Sequence, residues 1–269
     1  MTAAASAPSA SGHHSQAIPV VRSEFCKFRS VRSTLWTLAA AVVFNIAFAA
    51  LAAIFIPGRL SGPELANIDA IRLSLAGIHL SQIAFGVLGA LVITNEYSTG
   101  MIRATFSAIP QRRLVLAAKS LLFAATALIV GIASSFTAYY TFEAFLSGDT
   151  LHSAIGDPGV LRAIIGGGLY LLVLGLLGLG LGAIIRSSAG TIAALFSLLF
   201  VPTIFINLLP QSWQATVGPY VPMEAGSQIF IAVHHDPNSL GPWSGFGVFC
   251  LYAATALGIG FILIQRRDT

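Results

Sequence analysis

Long apolar runs constrain this chain more than any other feature of its sequence. The first covers residues 35–56, and a helix of about 20 apolar residues is long enough to span the hydrocarbon core of a bilayer. The fourth and fifth runs are separated only by Arg186-Ser187-Ser188, but together they are too long for one crossing. The sequence therefore predicts six membrane-spanning helices, at about residues 35–56, 73–94, 116–142, 163–185, 189–209 and 245–264.

The low charge content supports lipid as the solvent. Only 9% of the 269 residues are charged and 56% are hydrophobic, whereas a soluble domain carries roughly 25% charged residues. The net charge of +4 comes from basic residues in short segments between apolar runs. We therefore expect these cations to lie at the membrane surface, and we expect no nucleic-acid partner. Cys26 and Cys250 stand in no metal-ligand spacing, and we expect no metal site. The expected fold class is an all-α integral membrane protein.

The first residues differ from the rest in composition. Residues 1–17 are small and polar without apolar periodicity, which predicts a disordered tail. A cleaved signal peptide is not expected, because the basic stretch begins only at Arg22 and the apolar run after it is long enough to span a bilayer. We assign residues 18–269 to a single membrane domain.

The placement of lysine and arginine predicts the orientation. With both termini in the cytoplasm, 11 of the 14 basic residues lie on the cytoplasmic side and 7 of the 10 acidic residues lie outside. Cytoplasmic loops carry the excess of lysine and arginine in membrane proteins. We therefore expect a multi-pass protein of the cytoplasmic membrane with both termini inside.

Two segments on the predicted cytoplasmic side are amphipathic. Apolar residues recur at spacings of 4, 3, 3 and 4 before the first span, at Val21, Phe25, Phe28, Val31 and Leu35. This spacing predicts an interfacial helix; the alternative is a basic flank that only orients the first span.

The loop between spans two and three contains the second segment, residues 101–109. Met101, Ile102, Phe106 and Ile109 are spaced as one face of a short helix, which Pro110 ends. Such a helix is a docking surface for a soluble partner, or a loop helix that rests on the membrane.

Polar residues inside spans are candidates for function because they are costly in lipid. His79 and Gln82 are three residues apart in span two, while Pro202 and Asn207 lie in span five. Each also has a structural interpretation: a histidine satisfied by a neighbouring helix, or a proline that only kinks its span. Residues 225–233 are the one apolar, helical-looking piece of the long loop before span six, and could form a re-entrant or interfacial helix.

Several segments, in order, resemble the type 2 ABC exporter permeases (ABC-2 family). The resemblance covers about residues 20–269. It rests on the lead-in that contains Glu24, Phe25 and Lys27, on a loop pattern, on Pro222-Met223-Glu224-Ala225-Gly226 and on the basic ending Arg266-Arg267. The loop pattern comprises Glu96, Tyr97, Gly100, Ile102, Arg103, Pro110, Arg112 and Lys119.

The resemblance implies a division of labour. In this family the loop after span two forms a coupling helix that sits in a cleft of a separate ATP-binding subunit, and the N-terminal interfacial helix supports it. It thus implies a coupling role for Glu96, Tyr97, Gly100, Arg103, Pro110 and Arg112. The family also places the export path between two permease copies along spans two and five, which makes His79, Gln82, Pro202 and Asn207 candidate path residues.

The chain itself has no phosphate-binding loop of the form GxxxxGK[ST]. The glycines at 175, 178, 180 and 182 lie among apolar residues without a lysine, and predict close helix packing instead. We expect no cofactor and no enzyme activity in this chain, with ATP and Mg²⁺ on the partner subunit. A second permease copy or a sibling permease is the other expected partner.

The expected function is export of a substrate, and the expected substrate is a drug, an antibiotic, a peptide or a lipid-like amphiphile. An ion-coupled secondary transporter is an alternative, but such proteins usually carry acids at mid-membrane, and here every acid lies in a loop or at an interface. A membrane enzyme would need a catalytic constellation, which the spans lack. A non-transporting immunity or scaffold protein is the third alternative.

Overall fold

The computed structural model describes residues 22–25, 27, 32–56, 69–109, 111–146, 152–233 and 238–266. Within these ranges the regular elements are all helical, and no strand occurs. The predicted tail at 1–17 lies outside the described residues, as does most of the predicted interfacial helix. Of that helix, residues 22–25 and 27 are described, and they are helical.

Six long helices form the bundle: α1 (Arg32–Phe55), α3 (Ile78–Ser98), α5 (Arg112–Phe145), α6 (Val160–Ile185), α7 (Ser188–Ile206) and α10 (Pro242–Arg266). Four short helices connect them: α2 (Ala70–Ser74), α4 (Met101–Ala108), α8 (Gln211–Val217) and α9 (Pro222–Ser227). Two 3₁₀ turns cover Gly218–Tyr220 and Gln228–Phe230. The six long helices are long and apolar enough to cross a membrane, which confirms the prediction of a multi-pass, all-α membrane protein.

The second span begins later than predicted. Asp69 caps α2 by accepting hydrogen bonds from the amides of Ile71 and Arg72, and residues 75–77 form a turn before α3. A Cβ on Gly77 would lie 2.5 Å from the Asn45 side-chain oxygen, so α1 approaches closely at this turn. The span therefore runs over Ile78–Ser98 rather than 73–94.

Helix α6 lies at the centre of the bundle, against α3, α5 and α10. A Cβ on Gly89 of α3 would lie 2.0 Å from the carbonyl oxygen of Gly175, and a Cβ on Gly178 would lie 2.6 Å from that of Gly86. Backbones can approach this closely only where side chains are absent. The predicted role of the glycine run in close helix packing is confirmed.

The short elements after α7 close one end of the bundle. Ala225, Ile229 and Phe230 are fully buried there. The Arg162 guanidinium of α6 donates to the carbonyls of Ile229 and Ile231, each at 3.0 Å. The predicted helix at 225–233 is replaced by α9 and the following 3₁₀ turn, which ends at Phe230. We call this end of the bundle the α9 end, and the opposite end, where α3 passes into α4, the α4 end.

Candidate functional site

The connection between α3 and α4 depends on one glycine. Gly100 has φ +72°, a left-handed conformation that glycine adopts without the steric cost of a Cβ. It turns the chain sharply after Ser98, so that α4 begins at Met101 at an angle to α3. After α4, Ile109 is extended and α5 begins at Arg112. Pro110, predicted to end this helix and to take part in coupling, lies outside the described residues.

Four charged side chains meet at the α4 end. Lys119 Nζ donates to Glu24 Oε2 and to Glu96 Oε1, both at 2.6 Å. Lys27 Nζ donates to Glu24 Oε1 at 2.9 Å and to Glu96 Oε1 at 3.1 Å. We call Glu24, Lys27, Glu96 and Lys119 the ion cluster. Two positive and two negative charges make it formally neutral.

The ion cluster is largely removed from solvent. The side chains of Glu24, Lys119 and Glu96 are 4%, 5% and 9% exposed, whereas that of Lys27 is 37% exposed. Buried charges persist in proteins where they are paired and hydrogen-bonded. Burial alone would lower the pKa of Lys27, but its hydrogen bonds to the two glutamates and their charges outweigh burial, so its pKa lies above the usual 10.5. Lys27 is therefore protonated at neutral pH.

The ion cluster joins three segments of the chain and reaches a fourth. Glu24 and Lys27 precede α1, Glu96 is near the end of α3, and Lys119 is the eighth residue of α5. Lys27 also reaches Thr105 of α4, with Nζ 3.4 Å from Oγ1. The cluster thus ties the N-terminal segment and helices α3, α4 and α5 together at one point.

Tyr97, the neighbour of Glu96, connects α3 to the turn between α6 and α7. The Arg186 guanidinium lies 5.0 Å from the centroid of the Tyr97 ring, within the range of a cation–π contact. The Ser188 hydroxyl of α7 donates a hydrogen bond to the Thr94 hydroxyl of α3, at 2.9 Å. The end of α3 is therefore held from two sides, by the ion cluster and by this turn.

Helix α4 has one buried and one exposed face. Ile102 and Thr105 are buried and Phe106 is half-buried, with the Arg112 guanidinium 5.3 Å from the Phe106 ring centroid. The sequence pattern placed Met101 on the same apolar face, but its side chain is exposed. The exposed face comprises Met101, Arg103, Ala104 and Ser107.

The candidate path residues lie in different surroundings. Gln82 is buried inside the bundle, where its side-chain oxygen accepts a 2.5 Å hydrogen bond from Tyr170. His79 is exposed, and its ring makes an edge contact with Phe230, 5.8 Å between centroids. Although these two residues are three apart, they do not share an environment.

Pro202 of α7 is half-buried, and Asn207, which directly follows α7, is exposed. The Asn207 side chain donates to the Thr203 carbonyl at 2.9 Å, one turn earlier in the chain. Buried residues of α7 are restricted to Thr191, Leu195 and Leu199. This helix is therefore peripheral, and much of its surface is available to lipid or to another protein.

Sequence reasoning missed the ion cluster as a structure, although it named all four residues. The signal was Lys119, a cation just inside the predicted span 116–142. A charge at this depth needs a partner, and the acids that precede the first span and end the second were available. No protein-family model matches the chain, and no curated protein matches it either.

Proposed function

We propose that the chain is the transmembrane permease subunit of a type 2 ABC exporter. It would lie in the cytoplasmic membrane with both termini and the α4 end on the cytoplasmic side. The observation that carries the proposal is the ion cluster. Two separate stretches resemble the family here: the lead-in supplies Glu24 and Lys27, and the loop pattern supplies Glu96 and Lys119. The four residues meet at one largely buried site.

The exposed face of α4 would dock into a cleft of a separate ATP-binding subunit. Arg103 is the cation of that face, and it would contact acidic or carbonyl groups of the partner. Gly100 sets the angle of α4, and Arg112 stabilises its underside through Phe106. Pro110 keeps its proposed role in ending the helix.

Glu96 and Tyr97 would transmit the motion of α4 into the bundle. ATP, bound with Mg²⁺ on the partner, would drive closure of that subunit and displace α4. Because the ion cluster links α3, α5 and the segment before α1, and Tyr97 adds the α6–α7 turn, the helices would move as a rigid body. In this proposal Glu96 and Tyr97 are positioning residues, and catalysis belongs to the partner.

The buried charges favour this function over an ion-coupled transporter. Among the described residues, the buried carboxylates are Glu24 and Glu96, and both are paired with lysines at one end of the bundle. An ion-coupled carrier usually places such groups near mid-membrane. A second copy of the chain or a sibling permease would complete the path, and an amphiphile is the proposed substrate class.

Charge reversal of Arg103 tests the proposal. The unaltered chain is expected to co-purify with an ATP-binding subunit expressed from a neighbouring reading frame, and to alter the rate of ATP hydrolysis. Arg103→Glu should weaken co-purification by roughly tenfold, the loss of about one charge-assisted contact, without changing membrane insertion or thermal stability. Arg72→Glu is the matched control, since Arg72 is also exposed but lies at the α9 end.

Two results would contradict the proposal. Failure of the unaltered chain to co-purify any ATP-binding subunit would remove the exporter assignment and favour a scaffold or immunity protein. Equal co-purification by the Arg103→Glu and Arg72→Glu variants would remove the exposed face of α4 from the interface.

A further inference from the structure

A cleft lies between the start of α5 and the last turns of α10. Its volume is about 740 Å³, inside the range of small-molecule sites, about 300–1,000 Å³. Its rim is polar and consists of Gln111, Arg112, Arg113 and Gln265. No carboxylate occurs among the described residues that line the cleft, so the two guanidinium charges of the rim are not compensated within it.

Both guanidinium groups are available to a ligand. Arg113 is exposed and Arg112 is half-buried. Within the described part of the chain neither side chain has a hydrogen bond or an ion pair, and Arg112 has only its contact with the Phe106 ring, at 5.3 Å. That contact restrains the Arg112 guanidinium but gives its N–H groups no oxygen acceptor. The N–H donors that bind phosphate oxygens are therefore unused in both residues.

The wall of the cleft is apolar and lies deeper along the two helices. It consists of Leu114, Ala117 and Phe261. Ala117 follows Arg112 by five residues, about 7.5 Å along a helix that rises 1.5 Å per residue, and Phe261 precedes Gln265 by four, about 6 Å. Since both helices are long and apolar enough to cross a membrane, the direction from rim to wall points from the interface into the bilayer. A phospholipid has the same order of polar head and apolar chain.

The uncompensated charge of the rim specifies the headgroup. A zwitterionic lipid brings a cation together with its phosphate, so it leaves the net charge of the rim unchanged. A phospholipid with a net negative headgroup offsets one of the two guanidinium charges, and basic pockets between spans bind such lipids. A water-soluble phosphate would satisfy the same donors but would leave the apolar wall uncovered, whereas an acyl chain covers it.

We infer that this cleft is a binding site for an anionic phospholipid. The phosphate binds Arg112 and Arg113 at the rim, and the first part of an acyl chain lies along Ala117 and Phe261. The inference concerns lipid binding at the α4 end. It depends neither on the proposed export function nor on which side of the membrane this end faces.

Photolabelling tests the inference on the full-length chain. The protein is reconstituted in phosphatidylcholine vesicles that contain a trace of phosphatidylglycerol with a diazirine on one acyl chain, close to the glycerol. Labelled residues are mapped by mass spectrometry, and we expect them at 114–117 of α5 and at Phe261 of α10. Phosphatidylcholine with the same diazirine should label these residues roughly 25-fold less, because each arginine contributes a factor of about five to the attraction of an anionic lipid.

Two charge-removing variants separate this cleft from the general surface charge. Arg113→Gln should lower labelling by phosphatidylglycerol roughly fivefold and leave labelling by phosphatidylcholine unchanged. Arg22→Gln is the matched control, because Arg22 is also an exposed cation, in the segment before α1 that carries Glu24, but does not line the cleft. It should leave labelling by both lipids unchanged.

Three results would overturn the inference. Equal labelling by the two lipids would show an apolar groove that does not recognise charge. Equal losses in Arg113→Gln and Arg22→Gln would show attraction to the whole basic surface. Loss of labelling in a tenfold excess of glycerophosphoglycerol, the same headgroup without acyl chains, would assign the cleft to a water-soluble anion. If Arg113→Gln does not fold, the comparison of the two lipids on the unaltered chain still decides.

Discussion

Replacing Lys119 with methionine tests whether the ion cluster stabilises the bundle. Methionine keeps much of the apolar volume of lysine but removes its charge. The change deletes two contacts of 2.6 Å and leaves Glu24 and Glu96 with Lys27 alone, so the cluster acquires a net charge of −1. Removing one partner of a buried ion pair costs about 3–5 kcal/mol. Because Lys27 still contacts both carboxylates, we expect the lower limit, about 3 kcal/mol.

A second substitution separates charge balance from loss of packing. Adding Glu24→Gln to Lys119→Met leaves Glu96 and Lys27 as a neutral pair. Replacing both members of a buried pair is often close to neutral, so the double variant should recover most of the stability lost by Lys119→Met. The difference between the double variant and the sum of the single variants measures the coupling of Glu24 and Lys119.

The free energy of unfolding can be compared by titrating the detergent-purified protein with a denaturing detergent. Arg113→Met is the matched control, since Arg113 is an exposed cation on the same helix, and its removal should change stability by less than about 0.5 kcal/mol. If Lys119→Met costs no more than Arg113→Met, the ion cluster does not stabilise the fold. If the double variant is less stable than Lys119→Met, charge balance is not the cause of the loss.

Two further predictions concern packing and pH. Gly89→Ala should destabilise the bundle by about 1–3 kcal/mol through overpacking, because the new Cβ would lie 2.0 Å from the Gly175 carbonyl oxygen. Gly258→Ala is the control and should not destabilise the bundle, since nothing lies within 4 Å of its Cβ position. If both variants lower the thermal unfolding temperature equally, close packing of α3 on α6 is contradicted. The pKa of Lys27 is raised in the folded protein, so its stabilising contribution is complete below the unfolded value of 10.5 and is lost as the pH rises through the higher folded value. The difference in free energy of unfolding between the unaltered chain and Lys27→Met should therefore stay constant from about pH 6 to 9. A decrease within that range would show that Lys27 loses its proton at a lower pH than its contacts with the two glutamates allow.

The spans could be predicted because each depends on local hydropathy, but their ends could not. The predicted third span begins at residue 116, because two arginines lower the hydropathy of residues 112–115. Helix α5 nevertheless begins at Arg112, since a charged side chain at a helix end does not break the backbone hydrogen bonds. The turn at residues 75–77 depends on the approach of Asn45 to Gly77, a contact between distant parts of the chain that hydropathy does not record.

The candidate site was predictable in its residues and not in its geometry. The spacing of apolar residues in 101–109 predicted a helix, and α4 is present. Met101, however, is exposed, whereas Ile102 of the same predicted apolar face is buried. Likewise, the three-residue spacing of His79 and Gln82 predicted a shared face. That face is divided, because Gln82 turns inward to Tyr170 while His79 lies at the surface beside Phe230.

The two sides of the Gly100 turn differ in how strongly they are held. Behind the turn, Lys119 contacts Glu24 and Glu96 at 2.6 Å in a nearly dry site, where separating the charges is costly. In front of it, the cluster reaches α4 through Lys27 and Thr105 at 3.4 Å, a longer contact between a half-exposed cation and a neutral hydroxyl. A load on α4 would therefore shift α4 about Gly100 before it separated the helices behind it. In the proposed docking, α4 would therefore adjust to the partner first, and further displacement would pass to α3, α5 and the segment before α1 together.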